Sequence, residues 1–331
     1  MERQTLDGWM ESDFMRGTVA ALIFLIGTSI PGCMGLLDSE DSGGMVVPLD
    51  VPEWEVGDWW LYTFSTPDYY DDSARLVIAN TDEENGDAYM LAISSEAEAL
   101  RHAVLNHNPF LGRITKDNLS PFENGVQQDV LIFPIIEGET WSFTLFSIEW
   151  TATVSSVGEE AIITASNSDG SRLDYVYDGE VGLFSTFIWT DPTGVEQLRM
   201  MLADHGSGHT GEVHFVRGGD LFNGVWEDQG NDVEIRDSFL VSDHPTDGEW
   251  DEMIYFLDAD SGSGSSISFT LRDHASVSIL ADFWGPGASE WGTLGTIPYP
   301  SGEYTMTATF TGSSTYLKVR FSAGISQSWT I

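Results

Sequence analysis

Ala161-Ile162-Ile163-Thr164-Ala165, then Ser168-Asp169-Gly170, then Arg172-Leu173-Asp174-Tyr175-Val176-Tyr177 is the stretch that decides the fold class. Two β-prone runs flank an Asp-Gly pair, which tolerates positive φ and turns one strand back on the next. The same pattern recurs outward. Leu183 to Thr190 and Val195 to Leu202 flank Asp191-Pro192-Thr193-Gly194, and Trp141 to Phe146 precedes Glu149 to Val154. Upstream, Trp59-Trp60-Leu61-Tyr62-Thr63-Phe64 is aromatic and β-prone, and Ala74 to Asn80 and Ala88 to Ser94 flank an acidic turn at 82–87. Ser95 to Asn106 carries the one helical pattern. Downstream, Glu234 to Val241, Met253 to Leu257, Ser266 to Leu271, Ala275 to Phe283, Gly302 to Phe310 and Thr315 to Ala323 read as short strands spaced as in a β-sandwich. The expectation is an all-β chain: a curved antiparallel sheet over 51–205, a Gly-rich linker over 206–230, and a sandwich over 231–331.

The N-terminal end reads as an address. Met15-Arg16-Gly17 gives a charged start, Thr18 to Ile30 is an apolar run of 13 residues, and Pro31-Gly32 precedes Cys33, the only cysteine. As a helix the run spans about 20 Å, short of a ~30 Å hydrocarbon core, which fits an export signal. The uncharged stretch extends from Gly17 to Leu37, so a retained helix is the alternative. Glu2, Asp7, Glu11 and Asp13 put negative charge where such signals are positive, so 1–14 reads as an extension and 15–32 as the signal. Residues 33–50, with Asp38-Ser39-Glu40-Asp41-Ser42-Gly43-Gly44, form a polar spacer.

The formal net charge is -40, and the only lysines are Lys116 and Lys318. Such a surface repels nucleic acid and anionic headgroups. A hydrophobic content of 41% is ample for packed cores. One cysteine leaves no disulfide within the chain.

No motif of established chemistry occurs. Gly-x-Ser-x-Gly and the phosphate-cradling Gly-x-x-x-x-Gly-Lys are absent. Adjacent acids such as Asp71-Asp72 or Glu159-Glu160 point to opposite faces of a strand and do not converge. His205, His209 and His214, with Glu212, form a candidate metal cluster, although the surrounding glycines oppose a helix. Asp258-Ala259-Asp260-Ser261-Gly262 has the oxygen-rich opening of a calcium loop, but position twelve is Phe269, which excludes an EF-hand. Aromatic residues gather early (Trp54, Trp59, Trp60, Tyr62, Tyr69, Tyr70) and late (Phe283, Trp284, Trp291, Tyr299). Trp54, Trp59, Trp60, Tyr62, Trp284 and Trp291 are the candidate ligand-binding rings, on strands where they either fill the core or face a ligand. Asn118-Leu119-Ser120 is a glycosylation sequon weakened by Pro121.

Several of these segments resemble known families. Pro31-Gly32-Cys33 resembles a lipobox, which implies cleavage after Gly32 and a lipid on Cys33. The acid excess with few lysines resembles the bias of salt-adapted archaea. Trp54-Glu55-Val56-Gly57-Asp58-Trp59-Trp60 looks like the opening of many archaeal surface proteins. Phe133-Pro134-Ile135-Ile136-Glu137-Gly138-Glu139-Thr140-Trp141 and Asp178-Gly179-Glu180-Val181-Gly182 look like strand starts and turns of secreted β-rich lipoproteins. That resemblance covers 52–205 and implies an open half-barrel of the lipoprotein-carrier type. Pro300-Ser301-Gly302-Glu303-Tyr304-Thr305-Met306-Thr307 resembles a strand of immunoglobulin-like prokaryotic surface modules. None supplies catalytic residues. Together these readings describe a lipid-anchored protein on the extracellular face of the membrane, binding an apolar ligand, a sugar or a surface protein. The alternatives are a hydrolase with a site near His205, His209 and His214, and a passive spacer.

Overall fold

The computed structural model describes residues 48–331 apart from 68, 83–86, 105–107, 124, 242–251, 263 and 297–300. The leader, Cys33 and the spacer as far as residue 47 lie outside the described residues. Strands account for 68% of the described residues and helix for 3%, so sheet faces must supply the core.

In chain order the elements are β1 (Trp59–Thr66), β2 (Tyr69–Asp82), β3 (Ala88–Ile93), α1 (Glu96–Val104), β4 (Gly112–Thr115), β5 (Phe122–Glu123), β6 (Val126–Gln127), β7 (Thr140–Leu145) and β8 (Ile148–Val157). Then come β9 (Glu160–Ser166), β10 (Arg172–Asp178), β11 (Leu183–Thr190), β12 (Glu196–Gly206), β13 (Glu212–Val241), β14 (Glu252–Asp260), β15 (Ser266–Arg272), β16 (Ser278–Trp284), β17 (Gly287–Thr296) and β18 (Gly302–Thr330). Sixteen strands form one antiparallel sheet in the order β16-β15-β18-β13-β3-β2-β1-β12-β11-β10-β9-β8-β7, with β4 on β3, and β14 joining β18 to β17. β7 and β16 end the path, so the sheet does not close into a barrel among the described residues.

The expected hairpins are present. β9 and β10 pair from Arg172↔Ser166 to Asp178↔Glu160, around Gly170 at φ 99°. Period-two alternation then buries one face: Trp150, Ala152 and Val154 on β8, Ala161, Ile163 and Ala165 on β9, Leu173, Tyr175 and Tyr177 on β10. Buried polar tips reach backbone carbonyls. Trp150 Nε1 donates to Leu145 O at 2.9 Å and Tyr175 Oη to Val130 O at 2.9 Å. The helix also forms where expected. Glu96 and Glu98 sit in its first turn and Arg101 and His102 in its last, which suits the helix dipole. Its apolar side, Ala99 and Leu100, joins the core that holds Val216 of β13 and Ile254 and Phe256 of β14.

The stretch expected as a linker over 206–230 is largely strand. From Glu212 onward the chain runs in β13, which pairs with β18 from Glu212↔Thr330 to Val241↔Gly302. The described residues belong to one compact unit. The Gly-rich segments fall where the register shifts, between Arg217 and Phe222, Asp228 and Gly230, and Asn231 and Val233. Bulges bend a ladder without ending it, and glycine suits them. At one bend Asp232 (φ 52°) accepts the Gly312 N–H at 3.0 Å. Likewise 302–310 and 315–323, expected as two strands, are one strand, and β17 lies in a segment with no strand expected. β15 pairs with the first half of β18 and β14 with the second. One apolar core gathers residues from Trp54 to Met200 with Val216, Ile254 and Phe256, and another gathers residues from Ile235 to Ile325.

Candidate functional site

The expected site residues mostly belong to the scaffold. Trp54 and Trp60 are buried with ring centroids 4.9 Å apart, and Trp60 Nε1 donates to Val181 O at 3.0 Å. Tyr62 Oη donates to Phe184 O at 2.6 Å, and burial, with the nearby Asp178 charge, pushes its phenol well above its usual range. Trp59 lies over Gly206, where a Cβ would meet Cζ2 at 2.9 Å, and the Arg75 guanidinium covers its ring at 4.5 Å. Trp284 packs on the C-terminal core and donates to Glu290 Oε1 at 2.5 Å. Trp291 is 48% exposed on β17, and Phe283, on β16, is 71% exposed. Trp54, Trp60 and His205 do share one depression of about 270 Å³, together with Glu53 and Asp58.

The histidines do not converge. His205 pairs with Trp60, Trp60 with Leu76, Leu76 with Ile93, and Ile93 with His214. They therefore sit in one row, four inter-strand spacings apart, roughly 19 Å at ~4.8 Å each. One ion cannot bridge His205 and His214 at that distance. His209 lies in the connection, its N–H bonded to Gly57 O at 2.9 Å; burial, then the Arg75 charge, lowers its pKa. Asp258 and Asp260 face Arg320 and Lys318 in register on β18. Burial raises the Asp258 pKa against the pull of both cations. These acids have cationic neighbours supplied by the chain itself.

Two polar centres went unread in the sequence. In the first, Asp72 of β2 meets Glu98 and His102 of α1. Their ligand atoms lie within 4.8 Å of one another, the arrangement among the described residues that would suit a metal ion. However, Arg101 already holds both carboxylates. Its Nε donates to Asp72 Oδ2 at 2.8 Å, its Nη2 to the same oxygen at 2.5 Å, and Nη2 also donates to Glu98 Oε2. His102 Nε2 lies 3.3 Å from Asp72 Oδ2, and its ring packs edge-on against Phe64 at 4.3 Å. Burial opposes the Asp72 charge, yet hydrogen bonds from His102 and Glu98 and the Arg101 guanidinium hold its carboxyl far below its ordinary value. Burial, then the hydrogen bond with Asp72, pushes Glu98 up to about 7. Burial lowers the His102 pKa against the support of Asp72. The guanidinium fills the cation position, so this centre clamps the helix to the sheet.

The second centre is an open cleft of about 410 Å³ at the tip of the β7–β8 hairpin. Leu145 pairs with Ile148, so only Phe146 and Ser147 make the turn, at φ 57° and 59°. This is type I′ geometry, which ordinarily selects Asn-Gly. Two contacts hold it. The Phe146 ring lies flat on Trp189 of β11, with centroids 4.3 Å apart and an interplanar angle of 7°. The Ser147 N–H donates to Glu123 Oε1 at 2.6 Å. Asn108 closes the cleft, its Oδ1 accepting the Phe110 N–H at 3.0 Å, and Phe122 lines it with its ring 4.7 Å from the Arg113 guanidinium carbon.

Three of the lining residues hold a buried polar atom with no hydrogen-bond partner among the described residues: Asn108 Nδ2, Glu123 Oε2 and Trp189 Nε1. Each such atom costs about 1–3 kcal/mol when nothing answers it, and native folds keep few of them. The hint in the sequence was the two-residue turn without Gly or Asn. The cleft itself needs β5, β7 and β11 brought together from separate stretches.

No family model matches the chain, and no curated protein matches it in sequence. Among solved structures it is similar to a glycoside hydrolase family 43 arabinoxylan arabinofuranohydrolase from Bacillus subtilis in complex with cellotetraose, at 9% identity and TM-score 0.17, covering 78% of this chain and 64% of that one. It is also similar to the infectious bursal disease virus Gx strain structure, at 9% identity and TM-score 0.20, covering 86% and 74%. An exo-beta-1,3-galactanase from Phanerochaete chrysosporium with galactose follows at 8% identity and TM-score 0.16, covering 75% and 78%. The chain thus spans just under two thirds of the arabinofuranohydrolase. Likenesses this slight carry no argument about fold or chemistry.

Proposed function

We propose that this protein is a lipid-anchored, extracellular module of the cell envelope that binds a ligand in the cleft beside Phe146 and Trp189. The observation that carries the binding role is the cleft itself: a stacked aromatic wall bordered by three residues whose buried polar atoms lack partners. The anchor rests on the reading of Met15 to Cys33. Two lipid chains hold a protein firmly to a membrane where one binds marginally. A half-barrel for the N-terminal half is supported by the unbroken run of strands from β7 to β3 with α1 on one face. A sandwich for the C-terminal half is supported by Phe269 of β15 lying 5.2 Å from Phe321 of β18, across the core.

Two measurements test the proposal. Mass spectrometry of the mature N-terminus should find lipidated Cys33, and Cys33→Ser should release the protein from the membrane fraction; a free thiol behind an intact leader overturns the anchor. With fluorine-labelled tryptophan, the Trp189 resonance should shift when small molecules extracted from the native envelope are added. An unmoved resonance overturns the binding role and leaves a passive spacer.

A further inference from the structure

The cleft also carries a reading of ligand class, which rests on the binding role proposed above. Among the described residues its lining includes Glu123 and no lysine or arginine, in a chain of net charge -40. An anion would meet the Glu123 carboxylate, and the nearest basic group, Arg113, packs on the Phe122 ring without lining the cleft. A purely apolar ligand would leave all three polar atoms dry, at the full desolvation penalty of each. An organic cation would suit Glu123 and the rings. It would, however, turn positive charge toward Asn108 Nδ2 and Trp189 Nε1, both N–H donors that need an acceptor.

We infer that the cleft takes a neutral saccharide ring. A hydroxyl both donates and accepts, so a saccharide offers acceptors for Asn108 Nδ2 and Trp189 Nε1 and a donor for Glu123 Oε2 in one molecule. The C–H face of such a ring packs on a flat aromatic wall, which the Phe146–Trp189 stack supplies. The volume suits a small ligand, since such sites run roughly 300–1,000 Å³. The strained turn fits the same purpose. Phe146 at positive φ is unfavourable for the hairpin alone, and its ring forms the wall.

The test uses the full chain in detergent micelles with fluorine-labelled tryptophan. The probes are neutral mono- and disaccharides of gluco, galacto, manno and N-acetyl configuration, tetramethylammonium, and cyclohexanol. At least one saccharide should shift the Trp189 resonance saturably at millimolar concentration, and neither of the other probes should compete with it. By calorimetry, Trp189→Phe, which keeps a ring and deletes the N–H, should weaken that saccharide roughly three- to tenfold. Asn108→Asp keeps the oxygen that caps Phe110 and replaces the donor with an acceptor; it should weaken binding at least as much. Glu123→Gln keeps the acceptor for Ser147 and stands in should either variant fail to fold. A shift with tetramethylammonium or cyclohexanol but with no saccharide overturns the saccharide reading and leaves the cleft a binding site. A resonance that no saccharide, ammonium, cyclohexanol or envelope extract moves removes both. Saccharide affinity unchanged in Trp189→Phe and Asn108→Asp also overturns the inference, because the sugar then sits elsewhere.

Discussion

Replacing Asp72 by Asn should destabilise the protein, and by an amount that shrinks as pH rises. Below neutrality Glu98 is protonated, Asp72 is charged, and one guanidinium serves both. Asp72→Asn removes the anion that receives Arg101 and faces His102. Arg101 is only 9% exposed, so its charge is poorly hydrated. Losing one partner of a buried pair costs about 3–5 kcal/mol when nothing replaces it, but here Glu98 remains and can ionise. About 2 kcal/mol is therefore expected near pH 5, which is a drop of about 3 °C in midpoint for a chain of this size. Glu98 supplies the pH dependence. Its folded pKa, about 7, is raised above the ordinary 4.5, so the folded state binds that proton more tightly. That contribution is fully present below pH 4.5 and is lost as pH rises through 7. At ~1.36 kcal/mol per unit the whole shift would be worth about 3 kcal/mol. Glu98 is 24% exposed, and solvent screening brings this to about 1 kcal/mol. In the variant the neighbouring charge is gone while the burial of Glu98 remains, so the raised pKa falls only in part and the contribution shrinks without vanishing. His102 acts in the opposite sense. Its depressed pKa gives stability that is complete above 6.5 and lost as pH falls, in both proteins. Urea unfolding of both proteins at half-unit steps from pH 5 to 8 measures the gap between them. It should narrow, by at most about 1 kcal/mol. A gap that is constant or widens would refute the shared-cation account.

Other perturbations probe the rest of the molecule. Ser147→Gly should stabilise by about 0.5 kcal/mol in thermal unfolding, because glycine relieves the positive φ while Glu123 keeps the backbone N–H. Gly206→Ala should cost about 1–3 kcal/mol, since its methyl would sit 2.9 Å from the Trp59 ring between paired strands. Trp150→Ala should cost about 3–5 kcal/mol through loss of a wholly buried indole and its bond to Leu145 O; a change under 1 kcal/mol would mean that the β7–β8 hairpin packs differently. His205→Ala and His214→Ala, singly or together, should leave zinc uptake by equilibrium dialysis unaltered, as their places in the strand row require.

The hairpins from β7 to β12 could be read directly because each strand alternates over a few residues and each turn is local. The helix was legible for the same reason: Ser95, two acids and Arg101 lie within one short segment. β13 and β18 were not. Their strand character comes from ladder bonds to each other across the chain, and Gly218-Gly219 and Gly224 locally signal a break. β17, with Gly287, Gly292 and Gly295, failed for the same cause. Counting aromatic residues found Trp54, Trp59 and Trp60 but did not separate core from cleft. Trp189 sits in a strand that was correctly placed, yet its neighbours Phe146 and Glu123 come from separate elements. Asp72 was discounted beside Asp71 because adjacent strand residues diverge. Its partners are instead on α1, which sequence spacing along β2 does not reveal.

β18 completes three neighbours at once. It supplies the ladder for β13, β14 and β15, all of which precede it in the chain, and Ile331 exchanges both of its backbone bonds with Gly211. Synthesis therefore delivers the keystone after the arch. The second core stays open until translation has passed residue 330, whereas the hairpins from β7 to β12 can pair as soon as they are made.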